Sequence, residues 1–309
     1  MSPSRSPATP AIRPGSWGAW RVALRPRTLW IATIPVIVGC CLAWSIAGAF
    51  DAGIAAIALV AAVMMQVVTN LQNDVGYTER GAERGDRTGL PRATAKGWLT
   101  AAAVKGAIVA SIVVAWVVAL PLMLRGGWPI VLTSTSSTLA AWAYMGGPRP
   151  IAYSPFGELT VFIFFGLVAV GGTYYVQAGH LDAAAWMAGS AIGLLAAAVL
   201  LVNNYRDRTH DKGAGRHTLA IVLSIDGALR LYAALLAAPF ALALLLAWRY
   251  ESPWLALPLL AAPKAMRLAR DLRRSPPGIA LIGILFRTVM LEVAYGGLLA
   301  VGALFHGWR

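Results

Sequence analysis

Apolar residues run through this chain in blocks of roughly 20, the length that crosses the hydrocarbon of a bilayer as a helix. Short polar stretches separate the blocks. Within a block the residues do not alternate one by one, and Ala and Leu dominate, which disfavours a β-barrel. Lipid leaves helices as the remaining option. The pattern predicts nine spans, at 28–49, 52–72, 98–120, 128–145, 157–178, 183–203, 222–248, 253–270 and 278–305. In the eighth, Pro263, Lys264 and Arg267 shorten the apolar part. The expected fold class is therefore all-α, a polytopic membrane helical bundle of about nine transmembrane helices. A polar, basic, Pro-rich segment (1–27) precedes a single transmembrane domain (28–309). That segment lacks the short apolar core of a cleavable signal peptide.

Composition agrees. Of 309 residues, 58% are hydrophobic and 13% charged, and the mean hydropathy is +0.66. A soluble domain carries about 25% charged residues, so there is too little polar side chain to coat a water-soluble globule. The net charge of +13 would suggest a nucleic-acid partner in a soluble protein. Here it sorts by side of the membrane instead. With the N-terminus in the cytosol, 20 Lys and Arg fall on that side and three, Arg125, Arg249 and Arg309, on the other. This split follows the positive-inside rule. It predicts a plasma-membrane protein with cytosolic N-terminus and loops, and no nucleic acid. Cys40 and Cys41 are adjacent in an apolar run, which suits neither a structural disulfide nor a zinc site.

Charge sorting does not explain the acids. Asp74, Glu79, Glu83 and Asp86 lie after the second span, and Asp207 and Asp211 after the sixth, so six of 13 acids sit in two loops on the cytosolic side. Topology places no demand on acids. The loops also look alike. NLQNDVGYTERGAERGDRTGLPR starts at Asn70 and NNYRDRTHDKGAGRHTLA at Asn203. Each opens on Asn at the end of an even-numbered span and continues through acids, glycines and bases, which hints at a duplicated four-helix unit.

Charged residues in a membrane loop often form no more than a solvated face. The paired arrangement favours a second reading. Hard cations such as Mg²⁺ prefer carboxylate oxygens and share them with substrate phosphates. Arg and Lys neutralise the remaining phosphate charge. Asp207 and Asp211, four apart, share a face if the sixth span extends as a helix. Asn203 and Asn204 precede them by one turn, and Asn70, Asn73 and Asp74 are similarly placed at the end of the second span. Two such ends facing each other would hold a diphosphate through Mg²⁺ beside an apolar bundle. A polyprenyl diphosphate has that combination of head and tail. A transporter would instead show polar groups near mid-membrane.

The chain resembles the UbiA superfamily of membrane prenyltransferases. The matching stretches are LRPRTLWIATIPVIVG (Leu24 to Gly39), the two acidic loops, and YMGGPRPIAYSPFGELTVFIFFG (Tyr144 to Gly166). Within the superfamily it most resembles the 1,4-dihydroxy-2-naphthoate polyprenyltransferases of the menaquinone pathway. The resemblance implies Mg²⁺-dependent transfer of a polyprenyl group to an aromatic acceptor, with loss of the ring carboxylate. It implies metal ligands at Asp74, Glu83, Asp207 and Asp211, with Asp74, Asp207 and Asp211 catalytic. It implies diphosphate or metal support from Asn70, Asn73, Asn203 and Asn204. Arg87, Arg92, Arg206, Lys212 and Arg216 would neutralise phosphate or seal the site. Three positions depart from the family pattern: Tyr77 and Glu83 stand where it has Asp, and Arg216 where it has Lys. Tyr77 removes a carboxylate, which leaves a catalytically impaired isoprenoid- or quinone-binding homologue as the alternative.

Overall fold

The computed structural model describes residues 12–82 and 89–308. Glu83, Asp86 and Arg87 lie outside the described residues. Those described form helices and connecting turns, with no β-strand among them. The helices are α1 (Trp17–Leu24), α2 (Trp30–Ala47), α3 (Ala52–Glu79), α4 (Ala101–Gly126), α5 (Trp128–Met145), α6 (Gly157–Ala178), α7 (Ala183–Arg206), α8 (Arg208–Gly213), α9 (Ile225–Arg249), α10 (Ala262–Arg274) and α11 (Leu281–Gly307). Seven are long and apolar enough to cross a membrane: α2, α3, α4, α6, α7, α9 and α11. The protein is thus a multi-pass membrane protein.

The fourth expected span is present as α5 with the expected bounds, Trp128–Met145, although its hydroxyl run Thr133–Thr138 lowers its hydropathy. One expected span takes another form. The eighth begins as a 3₁₀ segment, Pro253–Ala261. Pro253 and Pro258 lie in it and Pro263 just beyond, and each lacks the N–H that an α-helix needs. Beyond it, α10 buries Ala265, Leu268 and Leu272 and exposes Arg267, Arg270 and Arg273. It lies on the bundle as an amphipathic helix.

Several polar residues at helix starts act as caps, satisfying otherwise unpaired amides. Asp51 accepts from Ile54 N at 3.0 Å, Thr100 from Ala103 N at 3.1 Å and Asp182 from Ala184 N at 2.9 Å. Residues 12–27 are also more structured than their composition suggests. Ala19 and Ala23 of α1 pack into a cluster with Val68, Leu71, Ala93 and Leu99, which ties α1 to α3.

Helix α7 is the central element, with 72% of its apolar window buried. Its small residues make this possible, because in lipid close backbone approach replaces hydrophobic sorting as the cohesive force. Where α7 crosses α6, Gly189 and Gly193 meet Gly166, and a Cβ on Gly193 would sit 2.5 Å from Phe162 O. The facing stretch of α6, Phe162–Val168, is π-helical. Gly39 likewise lets α2 reach α6 at Val170 and Thr173. Substituting Gly193→Ala is expected to destabilise the protein by about 1–3 kcal/mol through overpacking, read as a lowered thermal unfolding midpoint in detergent.

Candidate functional site

The ends of α3, α5 and α7 and the segments that follow them meet at one end of the bundle. Asp74, on the last turns of α3, is fully buried. Both of its oxygens are taken by the 93–94 turn: Oδ2 accepts from Ala93 N at 2.8 Å, and Oδ1 from Thr94 N at 2.9 Å and Thr94 Oγ1 at 2.7 Å. Asp74 therefore folds the segment after the first acidic stretch back onto α3. Asn70 has a comparable task. Its Nδ2 donates to Leu24 O at 2.8 Å and its Oδ1 accepts from Gln66 Nε2 at 3.1 Å, joining α3 to the N-terminal segment.

In the second loop α7 ends at Arg206, and α8 resumes one residue later with Asp211 N bonded to Asp207 O at 2.8 Å. The helical extension expected from the spacing is present, with a break at Asp207. Arg206 grips Asp207 through Nε (2.8 Å) and Nη2 (2.7 Å) and reaches Asn203 Oδ1 at 2.9 Å. Arg216 Nη1 lies 2.5 Å from Asp211 Oδ2, while its Nε and Nη2 donate to Ala152 O. Both ion pairs are almost wholly buried. Burial pushes the Asp211 carboxyl above the ordinary range, against the pull of Arg216. Burial opposes the Arg216 charge, yet Tyr77 and Asp211 outweigh it and its pKa is raised.

The loops are physically joined. His210 Nε2 bonds Ala82 O at 2.6 Å. Arg80 Nε donates to Met145 O at 3.1 Å, bringing in the end of α5. The guanidinium carbons of Arg92 and Arg216 lie 3.6 and 5.0 Å from the Tyr77 ring centre. On the first turn of α6, buried Glu158 accepts from Asn204 Nδ2 at 2.9 Å. Three buried oxygens here, Asp211 Oδ1, Asn204 Oδ1 and Glu158 Oε2, have no hydrogen-bond partner among the described residues. The same is true of the donor Arg206 Nη1. Open carboxylate and amide oxygens suit a hard cation, and an open guanidinium N–H suits phosphate.

Beside this cluster begins a cavity of about 350 Å³. Its polar end carries Arg25, Gln66, Asn70, Asn73, Tyr144 and Asn203, and its far end Val36, Ala58, Met123, Ile130 and Val176. Asn73 and Ala58 lie on the same helix, about 22 Å apart at the helical rise. The cavity thus runs through most of the bundle, from polar groups into hydrocarbon-like lining.

Sequence reasoning placed Asp207, Asp211, Asn203, Asn204, Arg206 and Arg216 in one neighbourhood, and the structure brings them together. Asn73 lines the cavity, and its backbone oxygen accepts from Arg92 Nη1 at 2.9 Å. Lys212 is exposed. Glu79 pairs with Lys105 of α4 at 2.5 Å on the outer surface, so it does not stand in for the carboxylate absent at Tyr77. Arg287 pairs with Asp271 at 2.7 Å and not with Glu292, its neighbour on α11. Thr94, Gln66 and Tyr144 were missed. Gln66 had a usable signal, a polar residue one turn before Asn70 inside an apolar span.

A family model described as the UbiA prenyltransferase family matches residues 32–304. The chain belongs to that family. It is 35% identical over 297 residues to the 1,4-dihydroxy-2-naphthoate octaprenyltransferase of Escherichia coli (strain K12), covering 94% of this chain and 96% of that one. It is 35% identical over 293 residues to the Mycobacterium tuberculosis enzyme of the same name, covering 94% and 98%. Among solved structures it superposes on a UbiA homolog from Archaeoglobus fulgidus bound to DMAPP and Mg²⁺ with a TM-score of 0.65 at 14% identity, over 92% of this chain and 99% of that one. An apo UbiA homolog from Aeropyrum pernix K1 gives 0.67 at 15%, over 90% and 97%. This UbiA chain is a membrane prenyltransferase.

Because the Arg216–Asp211 pair is buried, removing one partner strands the other. Arg216→Ala is expected to cost about 3–5 kcal/mol. The double variant Arg216→Ala/Asp211→Asn is expected to recover most of that loss. Unfolding midpoints of the single and double variants check the cycle.

Proposed function

We propose that this UbiA enzyme transfers a polyprenyl group from a polyprenyl diphosphate to 1,4-dihydroxy-2-naphthoate, with loss of the ring carboxylate, in menaquinone biosynthesis. The observation that carries the reading is the cavity that runs from Asn70, Asn73 and Asn203 into a long apolar bore, with Asn203 held by Arg206 of the buried acid and arginine cluster. The named relatives support the acceptor. The charge asymmetry supports a plasma-membrane location with the site facing the cytosol, within one membrane domain over 28–309.

On this reading the tail lies in the apolar bore and the diphosphate lies at the polar end. Asp207 and Asp211, with Asn203 and Asn204, would hold Mg²⁺. Bound there, Mg²⁺ supplies Lewis-acid stabilisation of the departing diphosphate. Arg206 has an open N–H for a phosphate oxygen. The allylic C–O bond breaks with its electron pair leaving on the diphosphate. Tyr144, an aromatic wall at the head of the bore, stabilises the allylic cation through its ring face. The apolar lining keeps water from quenching it. The acceptor ring supplies the electrons for the new C–C bond, and release of CO₂ restores its aromaticity.

Purified protein with Mg²⁺, a polyprenyl diphosphate and a panel of aromatic acceptors, read by mass spectrometry, tests the reading. Prenylated naphthol is expected, and EDTA is expected to abolish it. Asp207→Asn is expected to lower kcat by at least about 100-fold, the scale of removing one preorganised electrostatic group. No product with any acceptor from a folded protein would favour the impaired homologue. Ala62→Trp, in the wall of the bore, is expected to lower kcat/KM for long prenyl chains and to spare short ones.

A further inference from the structure

Below its polar end the cavity still carries a few uncharged polar groups. Gln66, 6% exposed, lines it from α3. Its Nε2 donates to Asn70 Oδ1, while its Oε1 has no hydrogen-bond partner among the described residues. Thr133, Ser134, Ser137 and Thr138 of α5 line the same cavity. Two of these hydroxyls are spent within the bundle. Thr133 Oγ1 donates to Ile130 O, and Thr138 Oγ1 donates to Ser134 O and accepts from Trp116 Nε1. The hydroxyls of Ser134 and Ser137 make no hydrogen bond among the described residues. The two helices are in step. A Cβ on Gly76 of α3 would lie 2.7 Å from Met145 Cβ of α5, and both helices run toward the polar end. An equal number of residues back from that contact are Gln66 and Thr135, so Gln66 stands at about the depth of Ser134 and Ser137. A hydrocarbon tail can bond none of the three, and leaving buried polar groups unmet is costly.

We propose that Gln66, Ser134 and Ser137 form a subsite for the hydroxyl groups of the aromatic acceptor. Gln66 Oε1 accepts from one ring hydroxyl, and the two serines bond the ring's other oxygen. The inference rests on the prenyl-transfer reading and deepens it by placing the second substrate. Ser134 and Ser137 are one helical turn apart, with about 5–6 Å between their Cβ atoms, which suits an aromatic diol. Phe164 and Phe165 line the same cavity and offer faces and edges to a ring. The Gln66 amide leans toward Asn70, which belongs to the polar end. A ring held there lies just below the diphosphate position, alongside the first carbons of the tail, where the new C–C bond must form. The rest of the tail follows the apolar wall of Val36, Ala58 and Val176. A site built to bond a hydroxyl also rejects a ring that lacks one, because its own polar groups then stay unpaired.

The test is equilibrium binding to the full-length protein in detergent, under a reductant, of naphthalene-1,4-diol and of 1,4-dimethoxynaphthalene, which has the same ring system and no O–H. The wild type is expected to bind the diol at least about tenfold more tightly, the scale of one buried polar group left unpaired. Gln66→Leu and the double variant Ser134→Ala/Ser137→Ala are each expected to lower diol affinity by about tenfold and to leave the dimethyl ether bound as before. Gln66→Leu also releases Asn70, so the serine variant decides the matter should Gln66→Leu fail to fold. The serine variant is further expected to bind geranyl diphosphate in Mg²⁺ as the wild type does. A matching loss there means that the serines face the tail, and it overturns the proposal. So does equal binding of the two rings by the wild type, no binding of the diol, or unchanged diol affinity in the serine variant. The assay involves no turnover. An acceptor screen without prenylated naphthol, with the diol preference intact, therefore counts against the naphthoate reading alone. Prenylated naphthol from a protein whose diol affinity ignores both variants counts against the subsite alone.

Discussion

A carboxylate removed from water needs a partner, and the acid-rich end of this bundle is organised by that requirement. Asp74, Asp207, Asp211 and Glu158 are all buried, and stranding any of them costs several kcal/mol. Each is held differently, Asp211 and Glu158 through one oxygen only. Asp74 takes two backbone amides and a hydroxyl, Asp207 the forked guanidinium next to it, Asp211 an arginine five residues on, and Glu158 the amide of Asn204. Two of these partners, the 93–94 turn and Arg216, sit on segments between helices, and the other two sit on the last turn of α7. The 93–94 turn is drawn to α3, Arg216 to α8, and the start of α6 to α7. Satisfying the acids and assembling the site are the same event.

The helices were legible because lipid enforces a single period and length. The exceptions have local causes. Pro253 and Pro258, with Pro263 just beyond, turned 253–261 into a 3₁₀ segment. Helix α1 was hidden inside a segment whose Pro and Arg content reads as tail, while Ala19 and Ala23 give too weak an apolar signal to declare a packed face.

Within the site, legibility followed the range of the interaction. Asp207, Asp211 and Arg206 are close in sequence, and helical spacing is enough to place them together. That Asp74 also holds the 93–94 turn was not readable, since the amides of Ala93 and Thr94 have no side-chain signature. Tyr77 could be noticed only as a departure from a pattern. Its partners Arg92 and Arg216 arrive from two different loops, and no local rule couples three such positions. Lys212 shows the converse limit. It has the right charge in the right loop, yet it faces solvent, because α8 turns its buried side toward His210 and Asp211.

On the proposed function, the buried ion pairs also bear on how a diphosphate would enter. A charged head group arriving with a divalent cation brings both signs at once. A carboxylate oxygen can turn to the cation while a guanidinium edge turns to phosphate, so neither protein charge is left bare during the exchange. Asp211 Oδ1 and Arg206 Nη1, buried without hydrogen-bond partners, are where that exchange would begin. Each offers one open valence while the rest of the group remains held. Their dipoles and charges are oriented before the ligand arrives, which is the condition under which electrostatic stabilisation is most effective. The apolar bore adds the second condition by keeping water away from the bond that breaks. Polar preorganisation and hydrocarbon walls are thus adjacent by construction: the acids must sit at the ends of helices whose remaining length has only lipid or its own cavity to face.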